Sequence, residues 1–184
     1  MKNQFKQSLK NFEKSNPRKT QFIQRAMSLL NSFEDNTPFL RSCFDDGHFT
    51  GSMLVVNTQK TKVLLMHHVK LWTWQQFGGH ADGDMNLRNV AMRELEEESW
   101  IDISKAQIWE DIFYIDIHSI PPLKWEAQHS HYDIWYLAVV DENIAFSKRD
   151  EEVHEIKWFD IQDVRNQTDS WIFSSGLAHM LENI

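Results

Sequence analysis

Three glutamates, Glu94, Glu97 and Glu98, are spaced i, i+3, i+4, so a helix through them carries all three on one face, with Arg93 beside them and Glu96 turned elsewhere. Like charges at that spacing destabilise a bare helix by roughly a few tenths of a kcal/mol each. Near a helix C-terminus the macrodipole disfavours anions as well. Two readings account for such a face. A solvated surface tolerates it. A hard divalent cation requires it, because Mg²⁺ takes carboxylate oxygens together with the phosphate oxygens of a substrate.

A second set of polar residues lies downstream. Asp116 and His118 alternate onto one face of a strand-like segment, and His129 and His131 do the same on the next. A hairpin centred on residues 119–128 would set His118 opposite His129 and Asp116 opposite His131, although Pro121-Pro122 in the connection leaves the register open. Four such side chains suit a transition metal, a pocket that hydrogen-bonds phosphate or sugar, or a polar patch satisfied within itself. His67, His68 and His80 stand singly near a glycine-rich loop, and His80 is the one placed to approach a substrate. Trp72 and Trp74, just before that loop, offer a stacking surface for a nucleobase. Core packing accounts for most of the eight tryptophans.

The glutamate face needs a helix to carry it. Asn86 is a good N-cap, and Leu87, Val90, Ala91 and Leu95 form the apolar stripe of an amphipathic helix behind it. Ahead of it runs Gly78-Gly79-His80-Ala81-Asp82-Gly83-Asp84, with three of the six glycines of the chain. Short β-rich runs flank this centre: Phe49–Val56 and Lys62–His68 upstream, separated by the turn Asn57-Thr58-Gln59-Lys60, and Ile108–His118, His131–Val140 and Val153–Phe159 downstream. Short helices are expected at 161–165 and 175–182. The first 45 residues read as two helices. Phe5, Leu9 and Phe12 stripe the first, and Phe22, Ile23, Ala26, Met27, Leu30 and Phe33 stripe the second. Ser15 or Asn16 caps the second, with Pro17 at its first position, and Asp35-Asn36-Thr37-Pro38 ends it. The pattern predicts an α/β layered domain over residues 46–184 and an N-terminal helical arm over 1–45. The arm packs on the domain or on a second subunit, which leaves a homodimer open.

Composition bounds the partners. With 184 residues, 41% of them hydrophobic, the chain supports one core without staples. The single cysteine, Cys43, forms no internal disulfide, which reads as intracellular. Lys and Arg number 19 against 27 Asp and Glu, a net charge of −8 that argues against broad nucleic-acid binding. A bound divalent metal reverses that sign locally, so a small phosphorylated ligand stays open. No apolar run approaches membrane-spanning length and no secretory signal is visible, so the expectation is a soluble cytoplasmic protein with no membrane partner.

Gly79, then Arg93-Glu94-Leu95-x-Glu97-Glu98, then Ile101 resembles the Nudix box, which runs glycine, five residues, glutamate, seven residues, Arg-Glu, an aliphatic, any residue, Glu-Glu, any residue, glycine, an aliphatic. Every spacing fits. Phe49-Thr50-Gly51-Ser52, His67-His68-x-Lys70-Leu71, Asp116-Ile117-His118-x-Ile120-Pro121 and His129-x-His131-Tyr132-Asp133 extend the resemblance to a bacterial Nudix subgroup, over roughly residues 45–165. It implies a Nudix-type α/β/α sandwich with a mixed central sheet, and a hydrolase that cleaves a diphosphate joined to another group by attack of water on phosphorus. Glu94, Glu97 and Glu98 would hold Mg²⁺ or Mn²⁺, with backbone carbonyls of Gly78-Gly79 adding ligands. Arg93 would orient Glu94 by a bidentate contact. His80, Asp116, His118, His129 and His131 are the candidates for substrate binding. A general base on a late loop would fall on Asp150-Glu151-Glu152, which a solvated charge run explains as well.

Two box positions depart from the pattern. Met85 replaces the first glutamate, leaving Arg93 to lean wholly on Glu94 or to recruit Asp84 or Asp82. Trp100 replaces the glycine, so a different helix exit is expected, since φ > 0 costs a non-glycine residue about 1–2 kcal/mol. Met85 keeps a second function open, a degenerate domain that binds a nucleotide or phosphorylated ligand without turnover. An isomerase of the isopentenyl diphosphate type would need a pocket cysteine, and Cys43 lies in the arm. Messenger-RNA decapping fits poorly with the negative charge.

Overall fold

The structure, a computed structural model, describes residues 1–122, 126–149 and 151–164. Its centre is an eight-stranded mixed sheet. Strand β1 (His48–Asn57) runs parallel to β7 (His129–Val140) along its whole length, from His48↔His131 to Asn57↔Val140. The other pairings are antiparallel. β2 (Lys62–His68) joins β1, the short β3 (Trp74–Gln75) and β8 (Val153–Asp160), while β5 (Gln107–Ile108) and β6 (Tyr114–Ile120) join β7.

Strand β4 (Phe77–His80) pairs with the first half of β1, Thr50↔His80 to Met53↔Phe77. Gly78 and Gly79, expected in a loop, therefore lie inside a strand. Their lack of side chain answers a need for space, not for unusual φ. A β-carbon on Gly78 would sit 2.3 Å from Ser52 Oγ, and one on Gly79 would sit 2.6 Å from the Glu94 carboxylate carbon. The turn itself uses positive φ at Asp82 (49°) and Gly83 (92°).

Helix α3 (Leu87–Ser99) begins as expected, with the Asn86 side chain accepting from the Asn89 N–H at 3.3 Å. Its apolar stripe covers the sheet face that carries Phe49, Met53 and Val55. The helix ends on Trp100 in the left-handed conformation, φ 55° and ψ 20°, with its N–H on the Glu96 carbonyl at 2.8 Å. This corrects the expectation of a different exit. Trp100 keeps the geometry of the glycine it replaces, while Ile101 behind it is fully buried.

The arm consists of α1 (Lys2–Ser15), a 3-10 turn at Pro17–Lys19 and α2 (Thr20–Ser32). No side-chain cap bond forms from Asn16. The arm packs on the same sheet face as α3, with Phe5, Phe39 and Phe49 in mutual ring contact at 5.1–5.9 Å. The opposite sheet face carries a second core around Leu54, Val56, Leu65, Trp135, Leu137 and Phe159. The expected 161–165 helix begins as a turn, and residues 165–184, with the expected helix at 175–182, lie outside the described residues. No described helix is long and apolar enough to cross a membrane.

Candidate active site

The carboxylate face forms against β4. Glu98 is 4% exposed and accepts the Gly78 N–H at 3.0 Å. Glu94 packs under Gly79, and Glu97 stands in solvent. Burial pushes the Glu98 carboxyl up to about 9 against that one donor, with Glu94, Glu152 and Glu97 adding repulsion. Burial raises Glu94 also, opposed by its bond to Arg93. Two largely buried carboxylates, Glu98 and Glu94, thus stand beside two more exposed ones, Glu97 and Glu152, an arrangement a divalent cation would relieve.

Arg93 Nη2 reaches Glu94 Oε1 at 2.9 Å and the His80 carbonyl at 3.1 Å, and its Nε lies 3.8 Å from Glu97. The contact with Glu94 uses a single oxygen, which corrects the expected bidentate geometry. Neither aspartate replaces the missing glutamate by direct contact. Asp84 accepts the Asn86 N–H at 2.8 Å, and Asp82 forms a two-bond pair with Arg41 at 2.6 Å. Met85 packs against the core and lines an open cleft with Lys2, Glu34 and Asp35 of the arm. Of the late acids, Glu152 faces the site and pairs with Arg149 at 3.6 Å, Glu151 is exposed, and Asp150 lies outside the described residues. Arg149, 3.8 Å from Glu97, carried no sequence signal.

The histidines gather on the sheet face opposite α3. Residues of alternating parity on β1, β4, β6 and β7 point there together. The β6–β7 register is His118↔His131 and Asp116↔Asp133, two residues from the expected pairing. A shift of two keeps every side chain on its face, so the convergence holds while the opposing partners change. His118 bonds to Asp116 at 3.0 Å, and that bond, with the Asp133 and Asp116 charges, raises its pKa over the lowering effect of burial. Asp133 is a buried hub that accepts from Thr50, Ser52 and Trp135 at 2.6–2.9 Å.

His48, which sequence reasoning missed, enters from β1 because the parallel pairing sets it beside His131. The rings of His48, His80 and His131 lie 4.7–5.2 Å from one another, and His129 lies 4.9–5.1 Å from His48 and His131. Burial first, then neighbouring charges, pushes His80 down to about 4 and His131 to about 2. His67 and His68 lie elsewhere on β2: His67 touches the exposed Trp72 and the half-buried Trp74, which packs on Phe159. Cys43 is buried and its thiol pKa is raised, chiefly by burial, so it is no activated nucleophile.

Residues 48–179 match the family model of the NUDIX domain. No curated protein sequence matches the chain. Similar solved structures include an Ap4A hydrolase of C. elegans in a binary complex, at 19% identity and a TM-score of 0.59, covering 73% of this chain and 95% of that one. The dihydroneopterin triphosphate pyrophosphohydrolase of E. coli is similar at 17% identity and a TM-score of 0.60, covering 74% and 96%. The NUDIX domain of Shewanella oneidensis NrtR, crystallised with ADP ribose, is similar at 18% identity and a TM-score of 0.54, covering 73% and 86%. At such identities the likeness speaks for the fold. The family-model match spans most of the chain and includes the glutamate helix and the glycine strand packed on it, so the chain belongs to the Nudix family.

Proposed function

We propose that the chain is a Mg²⁺- or Mn²⁺-dependent hydrolase that cleaves a diphosphate linkage in a substrate of the nucleoside diphosphate-X type. The observation that carries this reading is the buried Glu98, one backbone donor on its carboxylate and three further glutamates around it. Burial, with repulsion from Glu94, Glu152 and Glu97, favours the protonated form of that group, and a bound divalent cation would favour the charged form. Glu94, Glu97 and Glu98 would hold the ion, and Gly79 is the candidate for a carbonyl ligand. When bound, such a cation neutralises bridging phosphates and lowers the pKa of a coordinated water.

The chain's own residues do the rest. Arg93 fixes the Glu94 carboxylate and ties it to the His80 carbonyl. Glu152 is the acid placed to accept a proton from the attacking water, oriented by Arg149. The polar wall of His80, Asp116, His118, His129 and His131 lies on the sheet face opposite α3, with His80, His118 and His131 its partly exposed members, and would contact the X group rather than the diphosphate held at the carboxylate face. Neighbours named for Ap4A and dihydroneopterin triphosphate, and one crystallised with ADP ribose, agree with a nucleotide-like substrate.

Met85 favours a second reading, a domain that binds such a ligand without turnover. One experiment separates the two: a panel of nucleoside triphosphates, sugar nucleotides, dinucleoside polyphosphates and coenzymes with Mg²⁺ or Mn²⁺, reading phosphate products. Turnover abolished by Glu97→Gln supports the hydrolase. Ligand binding with no product from any member supports the binder.

A further inference from the structure

The histidine cluster has a property that the hydrolase reading leaves unused. His48, His80 and His131 each offer a ring nitrogen within 4.8 Å of the other two. His48 is 1% exposed, and its Nδ1 lies 3.2 Å from the Cys43 carbonyl. A carbonyl only accepts, so Nδ1 carries the proton and Nε2 presents a lone pair. That Nε2 is buried with no hydrogen-bond partner among the described residues. A buried acceptor left bare forfeits the hydrogen bonds it would make with water. A carbonyl on the far nitrogen is the outer contact that orients metal-binding histidines.

His129 repeats the outer carbonyl contact. Its Nδ1 sits 2.7 Å from the Ala127 carbonyl, and its Nε2 lies 3.2 Å from His131 Nε2. Zinc–nitrogen bonds of about 2.0–2.1 Å in a tetrahedron set ligand nitrogens about 3.3 Å apart. That one pair stands at ligand spacing, while the ring nitrogens of His48, His80 and His131, all within 4.8 Å of one another, must draw in to share an ion.

We propose that His48, His80 and His131 form a binding site for one late first-row divalent transition ion, Zn²⁺ by preference, separate from the carboxylate face. Imidazole nitrogen selects such ions, while Mg²⁺ takes oxygen. Two ions of different chemistry are thereby sorted onto opposite faces of one strand. Gly79 faces Glu94, and the next residue, His80, faces the cluster. The site joins β1, β4 and β7, so ion binding stabilises the folded chain in proportion to occupancy. It does not depend on the hydrolase reading.

The test uses the full chain stripped of metal by a chelator and then dialysed, with Zn²⁺ or Co²⁺ as the only added probe. Calorimetry is expected to give one Zn²⁺ per chain, with a rise in Tm. Co²⁺ is expected to give the intense visible bands of a low-coordinate nitrogen site. His80→Gln and His131→Gln each weaken zinc binding by at least about a hundredfold, the upper end of the loss seen when only an outer contact is removed. The double variant Glu94→Gln with Glu97→Gln retains wild-type zinc affinity and the same Co²⁺ spectrum. The proposal is overturned if wild type binds no zinc, or if the glutamate variant loses zinc while the histidine variants keep it. Should a histidine variant fail to fold by circular dichroism, the wild-type Co²⁺ spectrum decides: weak bands of an octahedral oxygen-ligated ion overturn the proposal.

Discussion

Gly79 and Glu94 are in such close contact that a β-carbon on the glycine would lie 2.6 Å from the carboxylate carbon and 2.7–2.8 Å from its oxygens. The carboxylate is the movable end of a side chain, so Gly79→Ala displaces Glu94 and leaves the strand in place. We expect a stability loss of about 1 kcal/mol or less and a fall in kcat of about a hundredfold, the scale on which small displacements of catalytic groups act. Thermal denaturation and turnover on the same preparation check this. A loss of stability with full turnover would contradict it.

Glu98 links metal to pH. Its carboxyl stands near 9 in the folded chain against a reference of 4.5, raised first by burial. Between those values the unfolded state holds fewer protons than the folded state, so its contribution to stability is lost as pH rises. In metal-free protein, stability is expected to decline across this window, and Glu98→Gln flattens the decline. Added Mg²⁺ restores stability in wild type and not in the variant. Urea denaturation at several pH values, with and without Mg²⁺, reads all of this.

Met85 leaves Arg93 with Glu94 and a backbone carbonyl as its close partners. Met85→Glu is expected to give the guanidinium a further acid beside Glu94 and the more distant Glu97, and to raise kcat. It also replaces apolar packing with a charge near Glu34 and Asp35, at a stability cost of about 1 kcal/mol. Steady-state kinetics and a melting curve decide both signs. Lower activity on an unchanged structure would show Met85 to belong to a differently built pocket.

Trp100 holds φ at 55° with its side chain 67% exposed, so little packing offsets the backbone cost. Trp100→Gly is expected to stabilise the chain by about 1 kcal/mol, which raises Tm by about 2–4 °C at this size. Calorimetry checks it, and an unchanged or lower Tm would show that the indole contributes more than its exposure suggests.

What the sequence determined by itself is local. The period of Leu87, Val90, Ala91 and Leu95, the Asn86 cap and the spacing of Glu94, Glu97 and Glu98 define a helix and its acidic face, because neighbours three and four apart meet without help from the rest of the chain. Lys62–His68 is legible as a strand because the short apolar run Val63–Met66, too brief for a helical period, follows the polar turn 57–60.

The tertiary structure decided what depends on partners distant in sequence. Gly78 and Gly79 have low strand propensity, and they form β4 because β1 supplies a ladder and because Ser52 and Glu94 leave no room for a side chain. The β6–β7 register slipped by two since the proline-bearing connection sets no tight turn, and only alternation of faces survived. His48 stands 83 positions from His131 and reaches it through the parallel pairing of β1 and β7, which no short-range pattern encodes. Trp100 follows the same rule: the burial of Ile101 and the Glu96 carbonyl contact hold a left-handed exit that its own backbone preference opposes.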